Sequence, residues 1–281
     1  VDLWFRALES DGILRSGTSI VREAYPSLDA GLSAAEALAA DAATAHHGVI
    51  EPREALDPRS NPEIVLSASG LEDLGTCALR YFYKYGLGVR PPDDPDPDPD
   101  VWLDAMDRGR LLHTVFEKVL REARSAGVGA GEDAFVALAL ERLDREAGRM
   151  AREVPPPGGA VRRREMRDLR ADVRSFARMM EGRDDRWRAL ELKFGFSGEP
   201  PAPLRLKGGE IRLRGAIDRV DETADGLVVI DYKTGSTSHY ERRHGTFHGG
   251  RRLQNLVYSI AAEWAMDEDV ARMEYHFPTW R

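Results

Sequence analysis

The sequence predicts an α/β chain, α+β in arrangement, with a central mixed β-sheet of four to five strands flanked by helices. Three observations carry this. Three long stretches between residues 104 and 184 repeat apolar residues with a helical period. Between 189 and 233 the pattern switches to period two, the alternation of a half-buried strand. A further helical stretch and an alternating segment then follow, so helices lie on both sides of the strands in sequence.

Taken in order, residues 1–60 read as helical and peripheral: Val1–Arg6 resembles mid-helix material, Gly31–Ala45 is Ala-rich, and Pro52, Pro58 and Pro62 interrupt the next stretch. In residues 66–89, Ser67 or Ser69 can cap a helix starting near Gly70, with Glu72 near a capping-box position. Leu71, Leu74, Leu79, Phe82 and Tyr83 would form its apolar face. The Pro-Asp repeat at 91–100 can be neither helix nor buried strand and predicts an exposed loop. Helices are expected at 104–125, 131–152 and 161–184. The first carries Leu111, Leu112, Val115, Phe116, Val119 and Leu120 on one face. Strands are expected at 189–196, 210–221 and 227–233, then a helix at 251–266 and a last strand at 273–280.

The chain has 281 residues and is 42% apolar, enough for a core that needs no disulfide or structural metal. The formal net charge of −8 argues against a uniformly basic nucleic-acid binder but leaves room for a local basic groove. Of the 40 basic residues only five are lysines, Lys233 among them. The single cysteine, Cys77, excludes an intrachain disulfide and suggests a reducing, cytoplasmic setting. No apolar run has the length of a membrane span. The first residue is Val, which suggests a fragment of a longer protein.

Asp225-Gly226 between two alternating runs predicts a hairpin turn. With those two residues as the turn, Asp218 lies opposite Lys233 and Val220 opposite Asp231. Strand alternation then puts Asp218, Asp231 and Lys233 on one face. Two carboxylates beside the buried run Val228–Ile230 are costly unless paired or metal-bound, and hard oxygen ligands suit Mg²⁺ or Mn²⁺. Such an ion can activate water and neutralise charge on a phosphate, while a neighbouring lysine orients the nucleophile. A plain Asp–Lys salt bridge at a hairpin explains the same spacing.

GAIDRVD (215–221) followed by VVIDYKTG (228–235) resembles the PD-(D/E)xK nuclease superfamily, in its RecB/AddB-type exonuclease branch. Four more segments stand in the order of that branch: SASGLEDLGTCALRYFYKYGLGV (67–89), RGRLLHTVFE (108–117), LELKFGF (190–196) and LQNLVYSIA (253–261). The resemblance covers roughly 64–280. It implies a restriction-endonuclease-like core, with residues 61–281 as the nuclease domain and 1–60 as a helical N-terminal extension or the tail of an upstream domain. It also implies roles. His113, Asp218, Asp231 and the main-chain carbonyl of Tyr232 would hold the metal, and Lys233 would be the catalytic lysine. Gln254 and Tyr258 would contact DNA or buttress Lys233, and Glu191 would support the ligands from behind. Gly109 shares a helix face with His113 and would let another backbone approach.

Relatives in this branch, AddB-type and CRISPR-associated nucleases included, carry four cysteines on a [4Fe–4S] cluster. With Cys77 alone no such cluster can form within this chain, and Cys77 reads as a small buried apolar residue. Arg162–Arg164, Arg167, Arg170, Arg174 and Arg178, interleaved with Glu165, Asp168 and Asp172, read as a solvated helix face. Arg251 or Arg252, beside the proposed site and near Arg242 and Arg243, would reach phosphates. His239, His244 and His248 fit no zinc spacing.

The expected function is a divalent-metal-dependent DNA nuclease (Mg²⁺, with Mn²⁺ accepted) that hydrolyses phosphodiesters in single strands or at ends. It would be an exonuclease module in recombination or repair, with a helicase domain or subunit as partner and no membrane association. The alternative is a catalytically silent DNA-binding scaffold, which would be expected to have lost Asp218, Asp231 or Lys233. Nothing in the sequence reads the sugar, so RNA stays open as a substrate.

Overall fold

The computed structural model describes residues 25–49, 54–90, 92, 98–130, 133–183, 187–196, 198–235 and 247–279. The chain divides into two compact units, Val1–Glu54 and Ala55–Arg281. In the first, helix α1 (Pro26–Ala39) opens with Pro in its first turn and buries none of its residues. The expectations for Val1–Arg6 and for most of the Pro-Asp repeat fall outside the described residues.

Among the described residues, the second unit holds a six-stranded mixed sheet. Strand β1 (Val65–Ser67) leads into helix α2 (Ala68–Thr76) and a short α3 (Ala78–Tyr81). Three long helices follow: α4 (Ala105–Ala126), α5 (Asp133–Glu153) and α6 (Gly159–Met180). Then come β2 (Trp187–Phe194), β3 (Ala202–Leu206), β4 (Gly209–Thr223) and β5 (Gly226–Tyr232). Helix α7 (Gln254–Met266) and β6 (Val270–His276) complete the unit.

The axis of the sheet is β4. Its first half pairs with β1 in parallel and β3 antiparallel, and its second half pairs antiparallel with β2 and β5. β6 adds to β5 in parallel. Six strands thus stand where the sequence predicts four or five. The additions are β1, only three residues long, and β3, which contains Pro203 and exposes Leu206. Neither has an apolar alternation of its own. Each exists because β4 is long enough to offer a second stretch of unpaired backbone, and Pro at a sheet edge sacrifices no ladder bond.

Two apolar cores lie on the two faces. One packs α4, α5 and α6 against Leu190, Val228, Ile230 and Tyr232. The other packs Val257, Ala261 and Ala262 of α7 against Ile217, Val220, Leu227 and Val229. The long helices form as their periodicity predicts. Asp104 caps α4 by accepting from the Asp107 N–H (2.7 Å), and left-handed Gly127 ends it. Within this layer Phe116 stacks on Phe176, ring centroids 4.1 Å apart, and both meet the Tyr232 ring edge-on.

The exposed arginines of α6 do form a solvated face, but two of its acids do not belong to it. Asp172 is fully buried in an ion pair with Arg108 of α4, and Glu165 is buried accepting the Trp102 N–H (2.8 Å). Both lie on the inner face because they satisfy donors there, which a charge count cannot show.

The β4–β5 hairpin turns one residue earlier than expected. Ala224-Asp225 is the loop, Thr223 pairs with Gly226, and Val220 lies opposite Val229. Gly226 is the first residue of β5. Its φ of +121°, and the Asp269 carbonyl 2.8 Å from where a Cβ would sit, exclude a side chain there. Glycine is placed by this close approach rather than by the turn.

Phe176→Ala should cost about 3–5 kcal/mol of stability, read by denaturant unfolding, because it empties the centre of the aromatic stack. A loss under about 1 kcal/mol would mean the stack does not hold this layer together.

Candidate active site

Three carboxylates occupy neighbouring positions on three adjacent strands. Continued by one residue, the ladders set Glu191 of β2 and Asp231 of β5 on either side of Asp218 of β4. Simple alternation does not explain how they converge. Leu190 belongs to the core under the long helices, yet Leu192 packs on the α7 side. Likewise Arg219 reaches Met180 of α6 (3.3 Å), while Ile217 packs on the α7 side. In regular strands i and i+2 share a face. Both strands therefore switch faces at one row, and the residues at the switch are Glu191 and Asp218. Glu191 has φ +50°, a left-handed backbone that costs on the order of 1–3 kcal/mol for a non-glycine residue.

Helix α4 brings His113 into this row, with Nδ1 3.0 Å from Asp218 Oδ1. The other Asp218 oxygen accepts the Tyr232 N–H at 2.6 Å, filling the place where the β4–β5 ladder has ended. His113, Glu191 and Asp218 each offer a ligand atom within 4.8 Å of the others. Glu191, expected to support the ligands from behind, is thus placed in the cluster itself. The Tyr232 side chain turns away into the aromatic stack, which fixes the main chain between Asp231 and Lys233.

Asp231 stands beside this cluster with Lys233 and Gln254. The Lys233 ammonium is 2.5 Å from Asp231 Oδ2 and donates to Gln254 Oε1 (2.7 Å), while Gln254 Nε2 donates to Asp231 Oδ1 (2.7 Å). Asp231 Oδ2 is buried and lacks an aligned hydrogen-bond donor, its close contact being the Lys233 ion pair. Lys233 also lies 5.2 Å from the centre of the Tyr275 ring. Tyr258, one turn along α7 from Gln254, packs edge-on against Phe194 and over Gly215. Arg251 and Arg252 lie in the turn before α7, Arg251 exposed and Arg252 partly buried. Arg242, Arg243, His239 and His244 fall outside the described residues, as does the His248 side chain.

The electrostatics follow from crowding. Burial and then the Asp218 charge push Glu191 up to about 7, against the pull of His113. Burial and Asp218 likewise push Asp231 up to about 6, against Lys233. For His113 burial acts to lower the pKa, but the Asp218 hydrogen bond and the charges of Asp218, Asp231 and Glu191 outweigh it and raise it. A cluster of carboxylates that resists ionisation, an imidazole, and a buried oxygen with no aligned donor make a donor set suited to a divalent cation.

Glu72 is a residue whose role sequence reasoning misassigns. It does not serve its own helix. Its Oε1 accepts from the Leu253 and Gln254 N–H groups (2.7 and 3.1 Å), capping α7 from a distance of 181 residues in sequence. Ser67 caps α2, as its sequence position predicts. At Gly75 a Cβ would sit 2.5 Å from the Gly250 carbonyl, so the turn before α7 docks directly on α2. The expected helix over residues 66–89 breaks at Cys77, leaving Leu74, Leu79 and Tyr83 exposed rather than on one apolar face. Cys77 itself is exposed, not buried, because it adopts extended backbone (φ −162°) at that break. At Gly109 a Cβ would meet the Thr234 hydroxyl, at 3.4 Å, and among the described residues no other segment's backbone approaches there.

The sequence profile of the PD-(D/E)XK nuclease superfamily matches residues 65–279. The chain belongs to this superfamily. It is similar to an ATP-dependent helicase/deoxyribonuclease subunit of Symbiobacterium thermophilum, 30% identical over 213 residues, which cover 70% of this chain and 17% of that protein. The corresponding subunit of Desulforudis audaxviator is 31% identical over 233 residues, 74% of this chain and 18% of the relative. That of Streptococcus equi subsp. zooepidemicus is 26% identical over 221 residues, 77% and 18%. The chain thus spans less than a fifth of the length of these relatives. No helix among the described residues is long and apolar enough to cross a membrane.

The raised carboxylate pKa values have a thermodynamic consequence. Glu191 holds its proton more tightly folded, at about 7, than at its ordinary 4.5. Its stabilising contribution is therefore complete below the unfolded value and lost as pH rises through the folded one. Without divalent ions, Glu191→Gln should melt with wild type at about pH 4 and above it at about pH 8. A variant that melts below wild type at the higher pH would refute the crowding. Glu72→Ala should cost about 0.5–2 kcal/mol and speed hydrogen exchange at the Leu253 and Gln254 amides. Unchanged exchange there would show the cap to be dispensable.

Proposed function

We propose that the chain is a divalent-metal-dependent DNA nuclease, an exonuclease module of the RecB type serving recombination or repair beside a helicase. The observation that supports it most is the closed contact set around Asp231. Lys233 and Gln254 bind its two oxygens, and Gln254 also holds Lys233, so lysine and carboxylate stay at fixed separation beside the His113–Glu191–Asp218 cluster. A structural salt bridge needs neither the third carboxylate nor the backbone strain at Glu191.

The residues that would hold the ion are His113, Glu191, Asp218, Asp231 and the Tyr232 carbonyl. Bound there, Mg²⁺ or Mn²⁺ would lower the pKa of water and neutralise phosphate charge. The remaining work falls to the chain. Lys233 carries a fixed positive charge to the phosphate and can donate to the attacking water or to the developing negative oxygen. Gln254, bonded to both groups, ties the ammonium to Asp231. Tyr258 and the Glu72 cap keep Gln254 in place. The cleft between α4 and the switched row, about 950 Å³, opens the cluster to a strand of DNA. The reaction would be direct attack of water, with no covalent enzyme intermediate.

End-labelled DNA incubated with Mg²⁺, Mn²⁺ or EDTA tests this. Wild type should cut only with the metals, and Asp231→Ala and Lys233→Ala should each lose at least about a hundredfold in kcat. Cleavage in EDTA, or full activity of Lys233→Ala, would refute the reading. Metal-independent binding without cleavage would favour a silent DNA-holding module.

A further inference from the structure

Acid-x-lysine occurs twice around Asp218. Glu191-Leu192-Lys193 lies on β2 and Asp231-Tyr232-Lys233 on β5, and both strands run antiparallel to β4. The two triplets therefore point the same way on either side of it. Lys193 pairs in register with Ala216, two residues before Asp218, just as Glu191 falls beside Asp218 itself. The two lysines differ in what they hold. Lys233 is committed to Asp231 and Gln254. Lys193 is exposed on the wall of the cleft that His113, Glu191 and Asp218 also line.

The other basic residues lining that cleft are already occupied. Arg110 pairs with Asp107 and Glu153. Arg121 pairs with Glu117 and donates to the Leu190 carbonyl. Arg188 pairs with Glu222 and Glu268. Among the described residues, Lys193 is the lining arginine or lysine whose ammonium has neither a hydrogen bond nor an ion pair. Its neighbour across the ladder, Ala216, also lines the cleft and leaves open floor beside it. An unpaired ammonium on a flexible stem, at the edge of a carboxylate cluster, suits a phosphate delivered from outside.

We propose that Lys193 binds a backbone phosphate of the strand in the cleft, next to the phosphate presented to the carboxylate cluster, and so positions the substrate. This rests on the nuclease reading above. The strand would then cross the sheet from β5 towards β2, with Lys233 at the phosphate being cut and Lys193 at its neighbour. The rival role for Lys193 is purely local, holding Glu191 ionised through its charge.

The test compares wild type, Lys193→Ala and Lys193→Arg on end-labelled single-stranded DNA with Mn²⁺. Lys193→Ala should raise KM about tenfold at low salt, with the loss falling on KM rather than kcat. Lys193→Arg should restore most of it. Because one fewer counterion is released, the KM ratio of Lys193→Ala to wild type should shrink about threefold between roughly 50 and 200 mM salt. An unchanged KM and salt slope in Lys193→Ala would overturn the proposal. So would a shifted pH profile of kcat with KM unmoved, which is the signature of the local role. If wild type binds DNA without cutting it, Kd and its salt slope read Lys193 in the same way. A wild type that neither binds nor cuts overturns the nuclease reading and this proposal together.

Discussion

Three acids stand in one row of a sheet, and burial together with the Asp218 charge makes Glu191 and Asp231 hard to ionise. That crowding is what the surrounding structure has to satisfy. Lys233 supplies positive charge, His113, Gln254 and the Tyr232 N–H supply hydrogen bonds, and the pKa values of Glu191 and Asp231 still stand well above the carboxylate range. A divalent cation bound there would relieve that residual repulsion. The backbone strain at Glu191 belongs to the same balance, since a regular strand would turn either Leu190 or Leu192 out of its core.

Much of the remaining fold serves to keep this row from relaxing. The stack of Phe116, Phe176 and Tyr232 pins the one residue between Asp231 and Lys233. On the other face, α2 holds the start of α7 by two independent means, the Glu72 carboxylate on its N-terminal amides and the side-chain-free approach at Gly75. Gln254 is the first residue of α7, so both devices act almost directly on the amide that ties Lys233 to Asp231. A helix N-terminus carries partial positive charge, and Glu72 satisfies its orphan donors without adding another charge to the acid row.

Membership in a nuclease superfamily and a donor set suited to a divalent ion converge on one cleft wall, where most basic side chains are already paired. Its affinity for a polyanion would then depend on few residues. A chain with net charge −8 can hold DNA only through such local placement.

The amino-acid order by itself determined the long helices, whose apolar period needs no partner to be read. It also determined the alternation of β4 and β5 and singled out Asp218, Asp231 and Lys233 by their chemistry, whereas His113 and Gln254 stood out only through the family resemblance. Tertiary structure decided the rest, for reasons that are not local. The turn fell at Ala224-Asp225, and Gly226 answers to the close approach of the Asp269 carbonyl, so the Asp-Gly pair misled. The burial of Glu165 and Asp172, and the exposure of Cys77, depended on which donors and breaks lay nearby. β1 and β3 became strands because β4 offered them an edge. Glu191 joined the cluster, and Glu72 capped a helix 181 residues away, through contacts between segments that the chain keeps far apart. Spacing along a chain records which side chains can share a face. Which distant backbone groups will be left needing a partner is known only once the segments have packed.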